Sequence, residues 1–302
     1  MLSYLSKAGV LVLAILFSSI GATLAEDVKN VRVVFWNLEW FPGGRPQATT
    51  TEVVDQITKA VPAVASLEPQ IFCAGEVLNS KAIAISLYKT PGVVPQVCSE
   101  FLDDSGEVTL QQIGIASSLP AVGGWWENWK PAKITPKRGF SFAAFEPVPG
   151  NILLVYVVHL KSNRGELAEN VPMREESAEQ LLKHAAEMEK AYGKMGIVGI
   201  VIGGDFNTSL DDPKFADEKT LGMFKKAGFA WAWEGMPFED RVTLPSTPSR
   251  NPNSPPFPDA CFDHAFTKGL KVASASVAAL EQNPSDHRPV IVDLEYPAPP
   301  VP

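Results

Sequence analysis

Polar residues able to bind a metal ion or move a proton recur at the ends of short apolar runs. Asn37 follows Val31–Trp36, Glu76 follows Ile71–Gly75, and His159 closes Leu153–Val158 within His159-Leu160-Lys161-Ser162. Asp205 and Asn207 follow Val201–Gly204, and Asp286-His287 precedes the run Val290–Leu294. Taken singly, each has an ordinary explanation, because Asn and Asp favour turns. Their repetition at run ends, restricted to types that do chemistry, points to one site. A rigid sheet fixes side chains at its edge while the loops there stay open to ligand.

The residue types define the chemistry. Glu76 and Asp286 are hard oxygen donors which, with Asn37 and water, suit Mg²⁺, and also Mn²⁺ or Ca²⁺. A divalent cation neutralises a phosphate oxygen and the charge that develops on displacement. His287 and His159 can take or give a proton near neutral pH. Asp263 can fix a histidine tautomer and support its charged form. Asn207 can donate hydrogen bonds to a five-coordinate phosphate without adding charge. Together these groups fit metal-assisted hydrolysis of a phosphate ester by direct attack of water.

The ordered segments Phe35-Trp36-Asn37-Leu38-Glu39, Ala74-Gly75-Glu76-Val77, Val158-His159-Leu160-Lys161-Ser162, Gly204-Asp205-Phe206-Asn207 and Ser285-Asp286-His287-Arg288-Pro289-Val290 resemble the endonuclease/exonuclease/phosphatase superfamily. The resemblance spans nearly the whole chain beyond its first residues. It implies a four-layer α/β/β/α sandwich, in which two mainly antiparallel sheets pack face to face with helices outside. It implies Glu76 as the main metal ligand, with Asn37 and Asp286 completing the metal environment. Asp205 would orient or activate the attacking water, and Asn207 would bind the scissile phosphate. His287 would be the base or the phosphate-stabilising imidazole, and the resemblance leaves open whether His287 or Asp205 is the base. Asp263 matches the carboxylate that orients that histidine. His159 matches a second histidine, acid or phosphate binder, of the deoxyribonuclease and sphingomyelinase branches. Arg138, in Lys137-Arg138-Gly139-Phe140, falls where members carry a phosphate-contacting arginine. Gly75 departs from the glutamine more usual before the metal-binding glutamate.

The elements that must carry these residues read as buried strands at Val31–Trp36, Gln70–Ala74, Ile113–Ser117, Ile152–Leu160, Ile197–Ile202 and Val290–Leu294. Helical spacing predicts helices over Thr51–Leu67, with Pro62 ending or kinking the first, and over Arg174–Tyr192, entered at Pro172 and left at Gly193. Strands alternating with helices predict sheets covered by helices. Gly123–Trp129, with Trp125, Trp126 and Trp129, reads as a loop. Pro245–Pro258 holds six prolines in fourteen residues and reads as an extended surface cover. His184 is expected on a solvated helix face and His264 beside Asp263 in support of its loop. No internal repeat and no linker stand out, so one domain is expected.

The 302 residues carry 26 Lys+Arg against 34 Asp+Glu, a formal charge of −8. Residues 1–25 contain Lys7, the apolar run Ala8–Phe17 and small residues before Glu26, the pattern of a secretory signal peptide. Without Lys7, 25 basic residues face 34 acidic ones, or −9, over residues 26–302. The apolar run is too short for a comfortable permanent membrane anchor, so export to a periplasmic or extracellular space is expected, as a monomer. An acidic chain argues against coating nucleic acid through a general basic surface, and leaves room for cleaving it at a local metal site. Cys73, Cys98 and Cys261 form no zinc pattern, and in an oxidising space two of them could pair.

The expected activity is that of an exported metal-dependent phosphodiesterase, foremost a nuclease acting on nucleic acid. A sphingomyelinase-like phospholipase or a phosphomonoesterase on the same scaffold is the first alternative. A non-catalytic binding or toxin-like module is the second.

Overall fold

The computed structural model describes residues 30–103, 105–247 and 256–296. The expected signal peptide lies outside the described residues, as does the middle of the proline-rich stretch. In chain order the elements are β1 (Asn30–Phe41), α1 (Thr50–Ser66), β2 (Ile71–Val77), α2 (Ser80–Ser86), β3 (Val94–Cys98), β4 (Gln112–Ser117), β5 (Ala121–Asn128), β6 (Gly139–Val148) and β7 (Asn151–His159). There follow α3 (Leu167–Tyr192), β8 (Ile197–Asp205), α4 (Thr220–Lys226), β9 (Ala230–Trp231), β10 (Asp263–Lys268), β11 (Lys271–Val277) and β12 (Val290–Glu295).

Two six-stranded sheets form, ordered β11-β12-β1-β2-β4-β3 and β5-β6-β7-β8-β10-β9. Each has one parallel pair at its centre, β1 with β2 and β7 with β8, and antiparallel neighbours on both sides. The two sheets thus share one plan, a symmetry that no repeat in the sequence announces. Val33, Phe35 and Cys73 from the first sheet and Val155, Val157 and Val201 from the second belong to one buried core. On the outer face of the first sheet Val34, Trp36, Phe72 and Ala74 pack against Ala60, Val64 and Ile83 of α1 and α2. Ala178, Leu181 and Ala185 of α3, with Leu221 and Phe224 of α4, are buried over the second sheet. This is the predicted four-layer sandwich. Among the described residues no helix is long and apolar enough to cross a membrane.

Several local expectations are corrected. Pro62 lies inside a continuous α1, and α3 starts at Leu167 with Pro172 within it. Pro62 and Thr58, whose carbonyl loses its helical donor to that proline, are both exposed, so the missing bond is left to water. The tryptophan segment is strand β5, paired along β6, rather than a loop. Its indoles pack: Trp129 is 4% exposed beside Phe140, Trp125 lies against Phe142, and Trp126 meets Phe101 edge-on. Around the proline-rich stretch, Leu244 bridges Ala260 and Thr247 bridges Phe257, so its described ends pair as an antiparallel ribbon. His184 is buried, not solvated: its Nδ1 meets the Tyr156 hydroxyl at 3.1 Å and its Nε2 meets Glu127 Oε1 at 3.3 Å.

All three thiols are free. Cys73 and Cys98 stand on strands separated by β4, about 10 Å apart at the usual strand spacing, beyond the roughly 7 Å reach of a disulfide.

Two successive glycines of β8 admit close neighbours, one across the core and one within the sheet. At Gly203 an added Cβ would lie 2.8 Å from three atoms of the Phe35 ring across the core. Gly204, at φ +126°, takes a backbone conformation that L side chains rarely adopt. Gly203→Ala should therefore destabilise the protein by roughly 1–3 kcal/mol, as overpacked cores do, read as a lower urea midpoint at unchanged slope; an unchanged midpoint would show that the sheets approach less closely.

Candidate active site

The strand directions explain why the predicted residues meet. In a parallel pair the two C-terminal ends lie side by side. β1 and β2 set Asn37 opposite Gly75, next to Glu76, while β7 and β8 set His159 opposite Asp205. Antiparallel neighbours bring their N-terminal ends to the same rim. β10 starts with Asp263 opposite Asp205, Arg138 precedes β6, and Asp286-His287 precedes β12. All the residues singled out from the sequence therefore meet on one edge of the sandwich.

On the first sheet, Asn37 Nδ2 donates to Glu76 Oε1 and to Asp205 Oδ2, both at 3.2 Å, and so ties the two sheets together. Its Oδ1 accepts from the Glu39 backbone N–H at 3.0 Å. Glu76 has φ +52° where the β2–β4 register shifts. That irregularity interrupts the alternation that would send its side chain outward with Ala74. The carboxylate also accepts from Trp40 N–H at 3.2 Å. Asp286 donates its backbone N–H to Glu39 Oε2 at 3.0 Å, which places its exposed carboxylate beside Glu39.

On the second sheet, Arg138 lies under His159. Its guanidinium donates to His159 Nδ1 at 2.9 Å, to Gln111 Oε1 at 3.2 Å and to Leu160 O at 2.7 Å. With Nδ1 accepting, Nε2 carries the ring proton, and it faces Glu76 Oε1 at 3.5 Å and Asp205 Oδ2 at 3.6 Å. His287 is wired the other way. Its Nδ1–H donates to Asp263 Oδ2 at 2.6 Å, and Nε2 faces Asp205 Oδ2 at 3.8 Å and Asp286 Oδ1 at 4.0 Å. Asn207, at φ +54°, donates its backbone N–H to Asp205 Oδ1 at 2.8 Å.

Crowding sets the protonation. Burial, then the neighbouring Asp286 and Glu76 carboxylates, push Glu39 up to about 7. Burial likewise raises Asp205 to about 7, with Asp263 and Glu76 adding to it and His287 opposing. Burial works against charge on His287, but Asp263 and Asp205 outweigh it and hold the imidazole well above its ordinary value. Burial and the cations of Arg138 and His287 drive His159 well below the ordinary value. The two histidines of one site thus have opposite charge states near neutrality.

Sequence reasoning did not assign Glu39 a role, although it lies within the Phe35–Glu39 motif and two positions from Asn37. It also missed Gln56, whose Nε2 reaches Leu38 O, Glu39 O and Pro284 O at 2.9–3.0 Å and whose Oε1 accepts from Gly43 N–H. Gln56 clamps the Glu39 loop to the loop that carries Asp286. Its helix spacing alone gives no hint of this. His264 does brace the Asp263 region: its Nε2 donates to Thr208 O at 3.0 Å and its Nδ1 accepts from Trp231 Nε1 at 3.1 Å.

The sequence pattern of the Endonuclease/Exonuclease/phosphatase family matches residues 118–287, more than half of the chain. The chain belongs to that family. No curated protein matches the sequence. Among solved structures, a Beutenbergia cavernae endonuclease/exonuclease/phosphatase superposes with a TM-score of 0.63 at 21% identity, over 88% of this chain and 72% of that one. The human Nocturnin catalytic domain with bound sulfate gives a TM-score of 0.63 at 14% identity, over 88% and 93%. A mannosyl-6-phosphatase from Bacteroides thetaiotaomicron gives 0.61 at 18% identity, over 88% and 100%. At these identities the neighbours establish the fold. Membership of the endonuclease/exonuclease/phosphatase family makes the chain a phosphoric ester hydrolase.

Members of the family generally depend on a divalent metal ion. The donors on this rim suit one, because the oxygens of Glu76 and Asp286 lie around Glu39, whose carboxyl is raised first by burial and then by those neighbouring carboxylates. Among the described residues no three His, Cys, Asp or Glu side chains are already gathered as an ion cage.

The opposite charge states of the histidines are directly observable. In ¹⁵N-histidine spectra of the metal-free protein at about pH 7, His287 should be doubly protonated, and His159 and His264 neutral. A neutral His287 would overturn this assignment. His264, held down to about 4 by burial, binds a proton more readily in the unfolded chain, so its contribution to stability is lost as pH falls from about 6.5 towards 4.

Proposed function

We propose that the protein is an exported, Mg²⁺-dependent phosphodiesterase, acting foremost on nucleic acid. The observation that carries the chemistry is the meeting of a carboxylate-rich corner with a charged and a neutral histidine at one rim. Glu76, Asp286 and Asn37 are the residues that would hold the ion, with Glu39 beside them. Bound there, the ion would supply charge neutralisation at a non-bridging phosphate oxygen. Export rests on the signal-like residues 1–25, and the nucleic-acid preference on the sequence motifs.

The roles of the chain's own residues follow from their protonation. Asp205 titrates near neutrality and is the better base for the attacking water, since a base works best when its pKa lies near the working pH. His287, kept charged by Asp263, is an imidazolium, and its Nε2–H stabilises the phosphate as negative charge accumulates. His159 acts as a neutral Nε2–H donor, its tautomer fixed by Arg138. Asn207 supplies an uncharged donor to a phosphate oxygen.

Two measurements test this reading. Asp205→Ala and His287→Ala should each lower kcat on plasmid DNA in Mg²⁺ by about 10²–10³-fold with the fold retained; undiminished turnover in both would sink the site. Parallel assays on RNA, sphingomyelin and inositol phosphates decide the substrate, and release from lipid without release from nucleic acid would replace the nuclease assignment. Independently of activity, Mg²⁺ should raise the melting temperature more at about pH 8 than at about pH 5.5, because Glu39 and Asp205 pick up protons as pH falls through about 7 and no longer attract the ion. The shift should shrink in Glu76→Gln. No shift at either pH would refute metal binding at this rim.

A further inference from the structure

We propose that Asn163 is a positioning residue that holds Asn207 in its working conformation, oriented from below by a buried ion pair between Arg174 and Glu218. The proposal rests on the reading of Asn207 as a phosphate-binding side chain. Asn207 sits at φ +54°, a left-handed conformation that asparagine tolerates better than most residues and that sets the direction of its carbonyl and side chain. Three contacts hold it there. Its N–H is fixed on Asp205 Oδ1 at 2.8 Å, one Nδ2 proton lies towards Leu160 O at 3.3 Å, and its carbonyl accepts from Asn163 Nδ2 at 2.8 Å. The carboxamide Nδ2 carries two protons, so one remains for a phosphate oxygen.

The Asn163 contact is directional because the other end of the same amide is already committed. Asn163 Oδ1 accepts from Arg174 Nη1 at 3.1 Å, so Nδ2 must face Asn207. Arg174 is 0% exposed and cannot swing away. Its Nε and Nη2 grip Glu218 at 2.8 and 2.6 Å, and Nη1 also donates to Lys161 O at 3.0 Å. Thr220 Oγ1 in turn donates to Glu218 Oε1 at 2.7 Å. A two-point arginine–carboxylate grip fixes a plane as well as a position. A buried ion pair adds little net stability over an apolar replacement; here it supplies orientation. The chain Glu218–Arg174–Asn163–Asn207 thus joins the approach to α4, helix α3, the loop after His159 and the loop after β8.

Asn163→Asp separates orientation from mere scaffolding. The aspartate keeps an acceptor for Arg174 but has no N–H for the Asn207 carbonyl. Asn163→Ala, which adds no charge near the acidic rim, serves as the second variant. With bis(p-nitrophenyl) phosphate and Mg²⁺, both variants should lose about tenfold in kcat with KM nearly unchanged and the melting temperature retained. In an Asn207→Ala background neither substitution should cost anything further, since the residue they orient is gone. Full activity of both variants, or a loss that persists undiminished in the Asn207→Ala background, would overturn the role of Asn163. Wild-type turnover in Asn207→Ala alone would instead overturn the phosphate-binding reading on which it rests.

Discussion

The contact of the Phe35 ring with the bare backbone of Gly203 sets how closely the two sheets approach at their centre. Every other feature of the rim depends on that spacing. Strand pleating puts Phe35 and Asn37 on one face of β1, and Gly203 and Asp205 on one face of β8. The ring-on-glycine packing is therefore one step below the Asn37–Asp205 hydrogen bond of 3.2 Å. A side chain at 203 would push the sheets apart and pull that bond open. Gly204 is needed within its own sheet instead, where a Cβ would meet the Val158 carbonyl of β7, so the two glycines before Asp205 serve different contacts.

Given that spacing, the rim must solve an electrostatic problem. Glu39, Glu76, Asp205, Asp263 and Asp286 occupy one end of the sandwich, several of them buried, and Arg138 and His287 are the cations set among them. Charges this close in a medium less polar than water cannot all persist unpaired. The molecule distributes the strain unevenly. Asp263 is paired with the His287 imidazolium, Asp205 and Glu39 are pushed towards neutrality, and His159 stays uncharged above Arg138. A corner of uncompensated carboxylates and a corner with an imidazolium result, within one hydrogen-bonded network. Such a division of charge suits the two oxygens of a phosphate ester that a hydrolase must stabilise.

The net negative charge of the chain bears on substrate choice in the same terms. With 34 acidic against 26 basic residues, the net charge works against drawing a polyanion in at long range. Attraction has to come from the rim itself, and family membership and fold neighbours do not narrow it further. Proteins of this sandwich include a mannosyl-6-phosphatase and Nocturnin, so the fold does not by itself choose the substrate.

Much of this was legible in the sequence because strand ends carry position in their order. Short apolar runs fixed the central strands, and polar residues directly beyond them had to lie on the rim once the strands were parallel in pairs. The four-layer sandwich followed from the motif resemblance. Elements with less local signal were read wrongly: β5 is rich in glycine and tryptophan and resembled a loop until pairing with β6 made it a strand. His184 sits among charged neighbours in sequence but on the buried, sheet-facing side of α3 in space. Residue identity alone determined the donors, the acids and the histidines of the site. Only the tertiary structure decided where each points: Glu76 turns inward because the register shifts at a left-handed residue, His159 and His287 differ in charge because one lies over an arginine and the other over an aspartate, and Asn207 is held by Asn163 from a loop 44 residues away. Direction and charge state depend on neighbours brought together by folding, and spacing along a chain does not encode them.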